Sequence, residues 1–239
     1  MKEKVIHLKD IGAVRLFKSN KAKLLNITIK PFTGVQVSVP RVLSFAKAEK
    51  IVHQRTDWIK RHLPRIKKAE SSFTVFDNDT RFKTRLHKLE IQPHCNEKIK
   101  VTVSQSFIKV RYPESINVKD NMVQLAIRKG IEIALRNEAK EFLPLRVNEL
   151  AEKHGFQYKD VKIRNAKTRW GSCSNINTLN LSLNLMRLPS YLIDYVILHE
   201  LAHTVYKNHS TQFWLLLDKV TGNAKGLNKE LNNYKIQIY

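Results

Sequence analysis

Residues 188–208, LPSYLIDYVILHELAHTVYKN, form a helix-length run with an almost wholly apolar body, opened by Pro189 in its first turn and interrupted by His199, Glu200 and His203. A helix that is apolar on every side belongs in an interior, packed against a sheet. Three ionisable side chains carried into that interior are costly unless a charge compensates them. The chain must therefore build a core around this helix and place something charged beside HELAH.

Side chains four residues apart stand one helical turn apart on one face. His199 and His203 can thus offer two imidazole nitrogens to one ion, while Glu200 projects beside them toward a water on that ion. Catalytic zinc takes three protein ligands and keeps one position open, and the simplest third ligand is His209. In an unbroken helix His209 would lie about 9 Å further along the axis than His203, out of reach. The helix must break near residues 206–208. Asn208 tolerates a left-handed backbone, and Ser210 suits the N-cap of a following helix, TQFWLLLDKV. H-E-x-x-H alone arises by chance in about two such chains per hundred, so the added histidine at this spacing gives the pattern its weight. Glu230 is the alternative third ligand, as in gluzincin-type sites. Asp194, on the other side of the helix, reads as a cap or a salt-bridge partner.

Elsewhere the chain alternates between strand and helix signals. Residues 24–29 and 35–40 flank a Pro- and Gly-containing turn and read as a β-hairpin. Apolar residues recur at helical spacing from Ser44 to about Ala69, with Thr56 as an N-cap and Pro64 as a kink. The helical face turned outward is basic. Residues 71–80 read as a linker, 85–92 and 99–112 as strands, and 117–154 as a long helix stopped by Gly155, with Pro144 bending it or marking a second start. Residues 161–164 and 178–186 read as strands, the latter with Leu179, Leu181, Leu183 and Leu185 on one face. This predicts an α+β fold in two parts: a small basic hairpin-and-helix module over 1–80, then a helix-rich catalytic domain with a short antiparallel sheet over 81–239.

The net charge is +22, and residues 1–100 hold 23 Lys/Arg against 9 Asp/Glu. Such a surplus attracts polyanions, so nucleic acid is a possible partner through the first module; the plainer reading is a soluble, lysine-rich surface. The two cysteines, Cys95 and Cys173, are too few for a disulfide framework or a cysteine-built zinc site. The start lacks a signal-peptide core and no stretch is long enough to cross a bilayer, which makes a cytoplasmic protein the expectation.

Residues 168–214 resemble the YgjP-like metallopeptidase family, relatives of the SprT-like zincins. The resemblance rests on RWGSCS at 169–174, the strand at Asn180–Leu181, IDYVILHELAH at 193–203 and NHSTQFW at 208–214; the first hairpin and Trp58–Ile59 extend it more weakly. It implies a zincin-like domain with HELAH and His209 as metal site. The histidine spacing also fits metzincins, but Tyr206 replaces their glycine and no methionine follows the site to form a Met-turn. The tail after residue 214 lacks the cysteines of a SprT-type zinc ribbon. In zincin-like folds a strand edge above the active-site helix holds the substrate, and 178–186 is the candidate, an interior strand being the alternative. Arg169 could steady an oxyanion and Cys173 could lie near the metal, although packing is favoured for Trp170 and Cys173. The expected activity is zinc-dependent hydrolysis of polypeptides with Glu200 as general base. Its rival is a nucleic-acid-binding protein with a structural zinc, and a protease recruited to nucleic acid combines the two.

Overall fold

The computed structural model describes residues 3–71 and 73–236, apart from the side chain of residue 69. Of the predicted linker, residue 72 lies outside the described residues. The chain divides into two compact units, one formed by Met1–Val75 with Asp120–Leu125, the other by Phe76–Lys119 with Ala126–Tyr239. The architecture is α+β.

The first unit is a four-stranded sheet with two helices. Strands β1 (Glu3–Leu8) and β2 (Gly12–Ser19) form a hairpin that the sequence reading missed, and β3 (Asn26–Lys30) and β4 (Gly34–Pro40) form the predicted one. β2 and β4 then pair in parallel, giving the order β1-β2-β4-β3. Alternation explains which face is inside. Ile6, Val14, Leu16, Val35, Val37 and Val39 are all buried and pack with Ala48, Val52 and Ile59 from α1 (Phe45–Gln54) and α2 (Thr56–Ser71). Ser44 caps α1 by accepting from the Lys47 amide. Thr56 does not cap α2: its hydroxyl donates to the carbonyl of His53, and the break between the helices falls at Arg55. Pro64 sits within α2 as one helix.

The second unit contains two three-stranded sheets and the remaining helices, except that the first residues of the long helix, Asn121–Leu125, belong to the first unit. β5 (Lys88–His94), β6 (Lys100–Val103) and β7 (Phe107–Pro113) take the order β5-β7-β6, so the predicted strand over 99–112 is two strands joined by a tight turn. Helix α3 (Asn121–His154) passes through Pro144 as one element and ends at Gly155, whose φ of 72° is the left-handed stop that glycine permits. At Gly130 a Cβ would stand 2.8 Å from the side chain of Ile108 on β7, so α3 lies against that sheet closely enough to require glycine.

The second sheet holds β8 (Asp160–Arg164), β9 (Gly171–Cys173) and β10 (Thr178–Ser182) in the order β8-β10-β9. β9 pairs antiparallel and β8 parallel with β10, which makes the sheet mixed. The strand predicted over 178–186 stops at Ser182, and Leu183–Arg187 winds into a 3-10 turn. Ser182 causes the change by accepting from the Asn184 amide, while Asn184 donates from Nδ2 to the Ala166 carbonyl, satisfying a polar side chain in a buried place. The apolar helix follows as α4 (Ser190–Val205), then α5 (Thr211–Thr221) and α6 (Ala224–Leu231). As its composition demands, α4 is buried nearly all round, from Leu192 and Ile193 to Leu201 and Ala202.

Candidate metal centre

α4 ends where the ligand argument requires. Tyr206 leaves the helix in extended conformation (φ −115°, ψ 111°), and Ser210 starts α5 by accepting from the Phe213 amide. Asn208 does not take the anticipated left-handed conformation; among the described non-glycine residues only Asp10, Phe32 and Asn177 have positive φ. The reversal is achieved by extended backbone at Tyr206 and held from outside. Lys207 donates from Nζ to the Ser174 carbonyl at 3.2 Å and to the Asn177 side chain, both in the turn between β9 and β10.

The chain so folded brings His199, His203 and His209 together, with one candidate ligand atom from each and all three atoms within 4.8 Å of one another. Nε2 of His209 and Nε2 of His199 are 3.1 Å apart. Nitrogens at about 2.0–2.1 Å from a tetrahedral zinc lie roughly 3.3–3.4 Å from each other, so the separation suits such an ion. His203 donates from Nδ1 to the Tyr206 carbonyl at 2.9 Å, which leaves its Nε2 unprotonated. The backbone that turns the chain after α4 therefore also sets the tautomer of a candidate ligand.

Electrostatics point the same way. Burial, reinforced by His203 and His209, holds the His199 imidazole down to about 3, and burial lowers His203 as well. These two rings are neutral at physiological pH, the form that coordinates a metal. Burial pushes the Glu200 carboxyl up to about 8, against the opposing pull of the Arg169 charge and the Cys173 backbone amide. Its Oε2 is buried with no hydrogen-bond partner. An orphaned carboxyl oxygen beside three convergent imidazoles lacks one thing, a cation, and the residues present fit one.

Gly171, in β9, is a site residue that the sequence reading missed. A Cβ there would stand 2.6 Å from Oε1 and 2.7 Å from Cγ of Glu200, so β9 passes against the carboxylate with no room for a side chain. Its signal was the glycine inside RWGSCS, uninterpretable until the strand is seen beside the helix. Arg169 is exposed, and Trp170 and Cys173 are half-buried. Cys173 is not a fully buried hydrophobe; its thiol donates to the Ser174 carbonyl and burial raises its pKa.

The other candidates lie elsewhere. Glu230 accepts from the Tyr191 hydroxyl and is not in the histidine group. Asp194 forms a two-pronged pair with Arg146, both contacts 2.7 Å. β10 has β8 on one side and β9 on the other, so both its edges are used and it cannot take up a substrate strand. Among the described strands, β9 has β10 as its only partner.

The sequence matches the YgjP-like metallopeptidase domain over residues 23–234. No curated protein matches it. Two crystal structures of metallopeptidase zymogens are similar to part of it. Abylysin of Pyrococcus abyssi is 26% identical over 38% of this chain and 93% of its own, with a TM-score of 0.35. Jannalysin of Methanocaldococcus jannaschii is 24% identical over 37% of this chain and 91% of its own, with a TM-score of 0.33. The family match runs from just before β3 to beyond α6, leaving out β1 and β2 but taking in the rest of both units' elements and the histidine group, and on that extent the chain belongs to the YgjP-like metallopeptidase domain family.

Proposed function

We propose that this metallopeptidase is zinc-dependent, with His199, His203 and His209 holding the ion and Glu200 acting as general base. The observation that carries the reading is the pairing of three convergent imidazoles with an orphaned, buried carboxylate one residue along the same helix. Zinc bound there supplies Lewis acidity, acidifying water and polarising a peptide carbonyl. Glu200 takes a proton from the attacking water on its carboxylate and returns it to the leaving amine nitrogen. His203, fixed by the Tyr206 carbonyl, keeps its coordinating nitrogen aimed inward. The substrate chain lies extended along the outer edge of β9, next to Glu200, in place of the enclosed β10.

A structural zinc is the weaker reading, because it would want a fourth protein ligand and the group among the described residues contains three. The family match brings no support for a nucleic-acid partner, and solubility is the plainer reading of the basic surface. A cytoplasmic setting suits the two free cysteines; no described helix is long and apolar enough to cross a membrane.

Glu200→Gln tests the assignment. Gln keeps the size of Glu but cannot accept the proton. Zinc content is expected to stay at the wild-type level while hydrolysis of an unfolded polypeptide such as casein falls by at least about a hundredfold. Hydrolysis at the wild-type rate removes Glu200 from the mechanism.

A further inference from the structure

The sequence reading takes Phe213 as part of the NHSTQFW motif and of the helix that follows the third histidine, and gives it no role in the site. In the structure it is among the largest completely buried side chains, and its ring meets all three imidazoles of the candidate metal centre. It stacks on His203 with centroids 4.5 Å apart and planes inclined by 25°. It meets His199 at 5.0 Å and 73°, and His209 at 4.8 Å and 87°. Phe213 brings no donor, acceptor or ligand atom to the site, so all it offers the histidines is shape and dryness.

Those contacts are not incidental to one helix. His199 and His203 come from α4, whose helical period sets their spacing, while His209 comes from the connection between α4 and α5 and must be brought to that pair from a separate segment. Phe213 is where they meet. Its backbone is fixed because its amide donates to the Ser210 cap at 3.4 Å, one residue after His209. Its ring is backed by Trp214, which also lies 6.0 Å from His209. The start of α5 thus carries a cap and a ring that together hold the third histidine against the other two.

We infer that Phe213 is a positioning residue for the metal centre: its ring is the common surface against which His199, His203 and His209 are set at coordinating separation. This rests on the reading of those histidines as metal ligands. A flexible aliphatic side chain of similar bulk fills the space but offers no flat face, so the imidazoles regain rotational freedom that metal binding must then remove.

The test compares Phe213→Leu, Leu217→Ala and His209→Ala in the full chain. Leu217 is the control because it is fully buried on the same helix and, being aliphatic, has no flat ring face to offer the histidines. Zinc affinity is measured by competition with a chromogenic chelator, and thermal unfolding is followed in metal-free protein. Phe213→Leu is expected to weaken zinc binding by about 10–100-fold, the range for losing a group that orients ligands. Leu217→Ala is expected to lower the unfolding temperature yet bind zinc as the wild type does when folded. Wild-type affinity in Phe213→Leu, with binding lost in His209→Ala, overturns the positioning role and leaves the metal site standing. Equal weakening by Leu217→Ala also overturns it, since the effect is then general loosening of α5. Undiminished binding in His209→Ala removes the ligand assignment itself.

Discussion

Replacing Gly171 with alanine adds one methyl group where the structure has no space for it. The new Cβ would stand 2.6 Å from Oε1, 2.7 Å from Cγ and 2.8 Å from Cδ of Glu200. Ordinary contact between such atoms begins near 3.5 Å, so something must move by roughly 0.7–0.9 Å. β9 is poorly placed to yield. Gly171 is in register with Leu181, and the preceding carbonyl, of Trp170, accepts from the Ser182 amide at 2.8 Å. Glu200 is 6% exposed and its Cγ is not a free end, so the carboxylate is displaced along with it. Gly171 is not among the glycines with positive φ, so alanine brings no backbone penalty and the test isolates the contact. Overpacking of this kind costs about 1–3 kcal/mol of stability, and displacing a catalytic group by about 1 Å costs roughly a hundredfold in rate. Gly171→Ala is therefore expected to keep its zinc, to unfold at a lower temperature and to lose about two orders of magnitude in kcat/KM on an unfolded polypeptide. A variant within twofold of wild type in both activity and stability would refute the argument that β9 positions Glu200.

Two further outcomes follow from the same geometry. Lys207→Met removes the tether from the loop that carries His209 to the β9–β10 turn; it is expected to weaken zinc binding about tenfold while leaving unfolding nearly unchanged, because the tether is exposed. An unchanged zinc affinity would show that the loop holds itself. In metal-free protein the pKa of Glu200 is raised from 4.5 to about 8, so between those values the unfolded chain releases a proton that the native state retains. Stability then falls as pH rises, by at most about 1.4 kcal/mol per pH unit, and Glu200→Gln escapes that loss. The stability advantage of the variant, read by urea unfolding in the presence of chelator, should grow from pH 5 to pH 8 and level off above. An advantage independent of pH would mean that the carboxylate is not buried.

What could be read from the sequence was what local chemistry decides. The four-residue separation of His199 and His203, the stop before His209 and the Ser210 cap all depend on helical period and on side chains bonding to nearby backbone, and each is present in the structure. The hairpin of β3 and β4 and the stop at Gly155 belong to the same class. The left-handed Asn208 failed for an instructive reason. Its tolerance is a preference of small size, and the hold of Lys207 on a turn some thirty residues earlier in the chain accompanies a reversal made without it. Ser182, likewise, ended an alternation of leucines that looked like a longer strand, by bonding to the backbone two residues on. Tertiary structure alone decided that β10 is enclosed and β9 is an edge strand, that Gly171 lies under Glu200, and that Phe213 joins three histidines from two segments. Periodicity says which face of an element is apolar, but it does not say which element covers that face. The strand pairings and ring contacts around this site join side chains of separate elements, and their energies are settled only when those elements pack.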